Sequence, residues 1–467
     1  MAIAFLVKNR KLKSCKIHYA RRPEFETAED KLAFLSTNPT STLTFESVTP
    51  DKDANWLNIT NNDWDSLVPV ISKKTKAART KAQEKAIFGD FSMGFITARD
   101  DWLVGLSSES VERKVKYFLS EFNSNVRESL KRRKEGQDFE RSNTIKWSRS
   151  MIAALEAGTE RTFDSRAFRQ ILLRPFVERT AYFGSGLVEM PNKMPAFFPA
   201  NESNTAIFFN DPGARTPFSP LASTLPGEYH LAASYDGFQG VPQYRFLPGD
   251  GKIDNVTDWG LRQFKNKYEI GASTGRKSAK TKLRVTKSAI FFYVYAALHD
   301  PLYQKKYSQN LKRDFPRVPL HDDFWKWAAW GEQLLRLHTD YKKVEPWMLR
   351  RTETLDKTAR EAGVVPKALL RADVEQNRII VDTETTIDGI PSSAWAYRLG
   401  SRSALEWILD QHKEKPIRDA TVREKFNSYR FADHKEQVID LIARVTRVSV
   451  ETVAILEQLS TASCIGE

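Results

Sequence analysis

The sequence predicts a multi-domain α+β fold, and three observations carry that prediction. Apolar residues at Val111, Val115, Phe118, Leu119, Phe122, Val126 and Leu130 follow helical spacing, the mark of a long amphipathic helix. Residues 185–257 change to short runs rich in Gly, Pro and aromatic residues, the pattern of strands and turns. Finally, 467 residues of which 41% are hydrophobic and 11% aromatic can bury the cores of roughly two to four domains.

Taken in order, Ile3–Val7 and Lys16–Tyr19 flank the basic turn NRKLKS and read as a β-hairpin at a sheet edge. So near Met1, such a hairpin has no sheet of its own to join. Thr27, with Asp30 three residues on, has the signature of an N-cap for a short helix through Leu35. Residues 36–72 read as loops and short strands around Trp56 and Trp64. The helix that starts at Glu109 ends in the basic run Lys131–Lys134, which suits the negative end of a helix dipole. Beyond the β-rich module, SAIFFYVYAALHD and DFWKWAAWGEQLLRLH return to helical patterning. RIIVDTETT then reads as a strand, followed by helices at Ala404–Leu409, Gln437–Ala443 and Val450–Leu459. The expected division is 1–150, 151–350 and 351–467, with no internal repeat and no low-complexity linker.

The formal net charge is +13, and its distribution is uneven. Residues 356–467 hold 16 Lys+Arg against 18 Asp+Glu, a net of −2, which leaves +15 on the first 355 residues. Such an excess suits a polyanionic partner, whose condensed counterions are released on binding. The two cysteines, Cys15 and Cys464, lie at opposite ends of the chain, so neither a disulfide framework nor a CxxC metal site is expected. The seven histidines form no HxxxH or His/Cys cluster. No apolar run reaches the roughly 20 residues of a spanning helix, and MAIAFLV has no basic flank or small-residue cleavage site. The expectation is a soluble, cytoplasmic protein.

Several chemistries are missing from the sequence. An amino-methyltransferase needs a tetrapeptide such as Asn-Pro-Pro-Tyr and a Gly-rich strand-to-helix turn, and neither occurs. Gly184/Gly186 in YFGSG and Gly249/Gly251 in PGDGKID leave GxGxxG incomplete and read as turns. GASTGRKS misses the P-loop spacing by one residue. Asp250, Asp254 and Asp258 lack the EF-hand ligand order and read as a solvated loop. No nuclease carboxylate-lysine set and no nucleophile elbow is evident, so no catalytic or metal-ligating residue is assigned.

One constellation is positive. It runs through ILLRPFVERTAYFGSG, TDWGLRQFKNKYE, GRKSAKTKLRVTK and QKKYSQNLKRDFPRVP. From Arg262 to Lys287 there are nine basic residues against one acid, Glu269. Interleaved Tyr182, Trp259 and Tyr268 offer flat faces beside these cations, the combination that suits a groove against nucleic acid. The plainer account makes the aromatics core and the cations a solvated rim. The segment SKKTKAARTKAQEKAIF adds six basic residues against one acid, again either for phosphate or for solvent.

At these same segments the chain resembles the type ISP restriction-modification enzymes, in which nuclease, helicase-like ATPase, coupling, adenine methyltransferase and target-recognition domains form one polypeptide. The resemblance rests on IAFLVKN…KIHYA, FITARDDWLVG, LRPFVERTAYF, NVTDWGLRQFKNKY, FFYVYAALHDPLYQKKYSQNLKRDFPRVP, WAYRLGSRSALEWILDQ and EKFNSYRFADHKEQVIDLI, in that order and over almost the whole chain. It implies that the first 20 residues are the last strands of a Rossmann-like methyltransferase sheet. A helical connector would follow, and then a mixed α/β target-recognition domain from about residue 150 whose central module is β-rich.

The implied function is sequence-specific recognition of duplex DNA, directing N6-adenine methylation and cleavage carried out by other domains of a phage-defence system. The residues expected near DNA are Arg174, Arg179, Tyr182, Trp259, Arg262, Lys265, Lys267, Tyr268, Arg276, Lys277, Lys280, Lys282, Lys312 and Arg313. Arginines are the candidates for base edges and lysines for phosphates. No cofactor is expected in this chain; S-adenosylmethionine, ATP and Mg belong to family domains without a counterpart here, and no activity is expected of the chain alone. Two other readings stand beside this one. The chain is either half of a split enzyme that docks on a separate methyltransferase or helicase chain, or a non-functional gene remnant.

Overall fold

The computed structural model describes residues 4–8, 11, 15–22, 27–50, 54–57, 60, 62–184, 186–247, 249, 251–270, 284–427 and 429–464. Two compact units result, Met1–Asp63 and Trp64–Glu467.

In the first unit Ile17–Tyr19 is a strand, as the alternation predicts, but its partner differs. It pairs antiparallel with Glu46–Val48, in the register Ile17↔Val48, and residues 4–7 of the expected partner form no strand. The run Phe5-Leu6-Val7 is exposed instead. Thr27 starts the helix Ala28–Thr37 with a reciprocal capping box. Its hydroxyl accepts from the Asp30 backbone N–H at 3.1 Å, and the Asp30 carboxylate accepts from the Thr27 N–H at 3.1 Å. Among the described residues, none in this unit is buried.

The second unit is built on three interleaved cores. The long helix Ser108–Lys134 buries the predicted stripe from Val111 to Val126 against Trp102, Met151 and Leu155. Its neighbour is a three-stranded antiparallel sheet in the order Val104–Gly105, Val177–Tyr182, Phe168–Arg174. The β-rich module supplies Phe238–Pro242 at the centre of a four-stranded sheet, between Ser92–Met93 and Ala206–Asn210, with Leu221–Ser223 outermost. Every residue of Phe238–Pro242, Ala206–Asn210 and Leu221–Ser223 is buried, which explains runs too apolar to alternate.

The helix Lys287–His299 is apolar on all sides because it is enclosed on all sides: Ala289–Phe291 and Tyr293–His299 are buried. It packs on Phe324–Thr339 in the second core. A C-terminal antiparallel sheet, in the order Arg350–Glu353, Thr385–Asp388, Arg378–Asp382, Ala368–Asp373, covers the third. The two helices expected at 437–443 and 450–459 are one, Lys435–Cys464. The intervening β-branched and hydroxyl residues are weak helix formers. Here Thr446 and Ser449 donate to the carbonyls of Ile442 and Val445 at 2.8 and 2.7 Å, so their hydroxyls are satisfied inside the helix. Among the described residues no helix is long and apolar enough to cross a membrane.

Candidate nucleic-acid interface

Among the described residues, the helix Asp258–Lys265 is the best-placed of the predicted basic segments. Thr257 caps it, accepting from the Gly260 N–H at 2.9 Å and donating to the Ala86 carbonyl at 2.7 Å. Gly260 allows the approach: a Cβ there would lie 2.9 Å from the Ile87 Cα. Phe264 reaches the core and meets the Tyr293 ring edge-on at 5.2 Å. With Gly260 and Phe264 turned inward, Arg262 is exposed and Trp259 and Lys265 are half-buried. Among the described residues, Arg262 and Lys265 make no ion pair, which leaves both cations available to an external anion.

Other cations nearby are already neutralised. The ammonium groups of Lys81 (2.7 Å) and Lys287 (3.1 Å) hold the Asp258 carboxyl down at about 2. Lys267 sits 3.4 Å from Asp322, both largely exposed, a pair worth little in water. Tyr268 is not a free platform. Its hydroxyl donates to the His321 carbonyl and its ring lies 5.1 Å from that of Phe324; burial pushes the phenol well up.

In the LRPFVERTAYF segment three of the predicted residues have partners within the fold. It is the hairpin Phe168–Arg174/Val177–Tyr182, turning at Pro175-Phe176 with Phe176 at φ 59° and 1% exposed. Arg174 donates to the Glu228 carboxylate at 2.6 Å, and burial raises the Glu228 carboxyl despite that pull. Arg179 donates to the carbonyls of Gln411 (3.0 Å) and Glu178 (2.8 Å). Tyr182 is fully buried, stacked on Phe163 at 5.5 Å, its hydroxyl accepting from the Asp164 N–H. Tyr182 thus packs in the interior, and the two half-buried arginines satisfy carbonyls and a carboxylate beside it.

Lys312 and Arg313 are exposed at the end of the helix Ser308–Leu311, where the Lys312 carbonyl accepts from the Gly213 N–H at 2.7 Å. Arg276, Lys277, Lys280 and Lys282 lie outside the described residues. FITARDDWLVG is likewise a brace. Trp102 Nε1 donates to Asp419 at 2.7 Å, the Asp419 N–H donates to Asp101 at 3.1 Å, and Lys114 donates to the carbonyls of Asp101 and Val104. The sequence reading passed over two fully satisfied buried asparagines, Asn204 and Asn255. No local pattern distinguishes a buried asparagine from the many that sit in turns. Among the described residues no group of three or more His, Cys, Asp or Glu is placed to hold a metal ion.

Comparison with known proteins gives a consistent result. The chain is 37% identical to the protein in a cryo-EM structure of a DrdV–DNA complex, with a TM-score of 0.84 over 95% of this chain and 43% of that one. It has the fold of a nuclease-deletion mutant of the type ISP restriction-modification enzyme LlaGI in complex with a DNA substrate mimic (22% identity, TM-score 0.76, 96% of this chain and 39% of that one). The same fold occurs in the ATP-dependent type ISP restriction-modification enzyme LlaBIII bound to DNA (21% identity, TM-score 0.71, 90% and 26%). The chain therefore spans less than half the length of each. No curated protein matches it. Residues 86–441, well over half of the sequence, match the family described as the type ISP C-terminal specificity domain, and the chain belongs to that family.

Proposed function

We propose that this chain is the DNA target-recognition part of a type ISP restriction-modification system. It binds duplex DNA sequence-specifically and directs N6-adenine methylation and cleavage performed by other domains. The observation that carries this reading is the 37% identity over 95% of the chain to a protein seen in complex with DNA. The outward cations of the Asp258–Lys265 helix support it. Phosphate contacts of that kind fix register, and base contacts elsewhere specify sequence. The deciding experiment is selection from a randomised duplex pool by the purified chain, at low and moderate salt. Enrichment of one short asymmetric motif supports a self-sufficient recognition module, and absence of duplex binding at both salts refutes it.

A second reading is favoured by the first unit. It has no buried residue among those described, yet exposes Phe5, Leu6, Val7, Leu32, Leu35, Phe45, Trp56 and Leu57. Exposed apolar surface of this kind suits contact with another polypeptide, as a split-enzyme half that docks on a separate methyltransferase chain would make. Salt-sensitive duplex binding without an enriched motif points to this reading.

A further inference from the structure

Between the buried strand Phe238–Pro242 and the helix Asp258–Lys265 the chain makes a two-stranded ribbon, Tyr244–Leu247 against Gly251–Asp254, that joins no other described strand. The preceding strand is wholly buried, whereas no residue of the ribbon is. The pairs are Tyr244↔Asp254, Arg245↔Ile253, Phe246↔Lys252 and Leu247↔Gly251. Gly249 and Gly251 take φ of 87° and 67° at the tip, a conformation that suits glycine.

An isolated hairpin is marginal in water, so its roots must be held, and each is held by a buried asparagine. Asn204 accepts from the Tyr244 N–H at 3.1 Å and donates to the carbonyls of Tyr244 and Phe197, both at 2.8 Å. Asn255, fully buried, donates to the carbonyls of Asp90 and Pro242 and accepts from the Asp90 N–H, all at 2.8 Å. The ribbon is thus fixed at the base of both strands.

Among the described residues neither Lys252 nor Arg245 has an acidic partner. Lys252 lies 4.3 Å from the centre of the Tyr244 ring and reaches only the Ser203 carbonyl, at 3.4 Å. Arg245, on the other face, makes no hydrogen bond or ion pair among the described residues, and its Nε is buried without a partner. Leu247 is 40% exposed.

We propose that this ribbon enters the major groove of duplex DNA and reads base edges. Lys252, on the face it shares with Tyr244 and Phe246, donates to purine N7, while Arg262 and Lys265 take the flanking phosphates. The major groove, about 12 Å wide, admits a two-stranded ribbon, whereas the minor groove, about 6 Å wide, takes one only with deformation of the duplex. The inference rests on the duplex-DNA reading above.

The test uses the full chain and the motif it selects from a randomised duplex pool. Each purine of the motif is replaced in turn by its 7-deaza analogue, which removes only a major-groove acceptor. At one or more positions wild-type affinity is expected to fall on the order of tenfold. Lys252→Met should bind the unmodified motif as weakly and be indifferent to the 7-deaza change at that position. Leu247→Ser, on the opposite face of the ribbon, should keep the wild-type motif. Both positions are exposed, so unfolding midpoints serve as the control for folding. Insensitivity of the wild type to every 7-deaza substitution overturns the proposal, as does retention of the wild-type motif by Lys252→Met. Duplex binding without an enriched motif overturns the ribbon but leaves DNA binding standing; no duplex binding overturns both.

Discussion

Tyr295 and His338 share a hydrogen bond of 2.5 Å between the phenolic oxygen and Nδ1, deep in the second unit. The Tyr295 oxygen also accepts from the Ala222 N–H at 2.8 Å, so its own proton points to His338. His338 Nε2 then donates to Thr452 at 3.0 Å, which links a strand and three helices and fixes a neutral imidazole.

Stability should therefore fall with acid. Burial lowers His299 and His412 to about 4, and lowers His338 well below its ordinary value, aided by His299. An unfolded chain protonates these rings near pH 6.5, well before the folded one does. The unfolded state binds more protons in that window, so stability is lost as pH drops from about 6.5 toward 4, by up to roughly 1.4 kcal/mol per pH unit for each histidine. Urea midpoints at pH 7.5, 6.5 and 5.5 check this; a flat profile would exclude neutral buried histidines.

Asn255→Ala should lower stability by about 2–4 kcal/mol, since it strands the Asp90 N–H and two carbonyls in the interior. Chemical denaturation reads this directly, and a change below about 0.5 kcal/mol, the range of an ordinary surface substitution, would show that the clamp is replaceable by water.

Arg262→Ala and Lys265→Ala should each weaken binding to any duplex and reduce the salt slope by about one counterion, with stability nearly unchanged. Lys280→Ala should do the same if the basic segment after the helix also meets phosphate. Titrations at several salt concentrations decide, and an unaltered slope assigns the residue to solvated surface.

Arg174→Ala and Tyr182→Phe should behave oppositely. Removing Arg174 leaves the Glu228 carboxylate without its ion-pair partner and should cost about 3–5 kcal/mol. Tyr182→Phe loses one hydrogen bond, about 1 kcal/mol. Neither should change the selected DNA motif beyond what instability explains, as comparison of selections at a temperature where both variants are folded would reveal.

Periodicity and capping chemistry were enough to place the helix Ser108–Lys134, the capped helix after Thr27, the β-rich module and the enclosed helix Lys287–His299. These are local: side-chain spacing and one or two hydrogen bonds decide them, and neighbours in sequence supply both. The resemblance of segments in order likewise fixed the family. Pairing partners were not local. Ile17–Tyr19 looks ready for either flank, and only the tertiary structure selects Glu46–Val48.

The same limit governs the site. In sequence, Arg174, Arg179, Arg262 and Lys265 are equivalent cations beside aromatics. Three-dimensional packing separates them, because Glu228 and the Gln411 carbonyl reach the first two from 54 and 232 residues away, while nothing described reaches the last two. Tyr182 differs from a surface tyrosine only by Phe163 lying flat against it. Sequence determined which groups this protein carries; the long-range partners that satisfy some of them, and leave others facing outward, were decided by the fold.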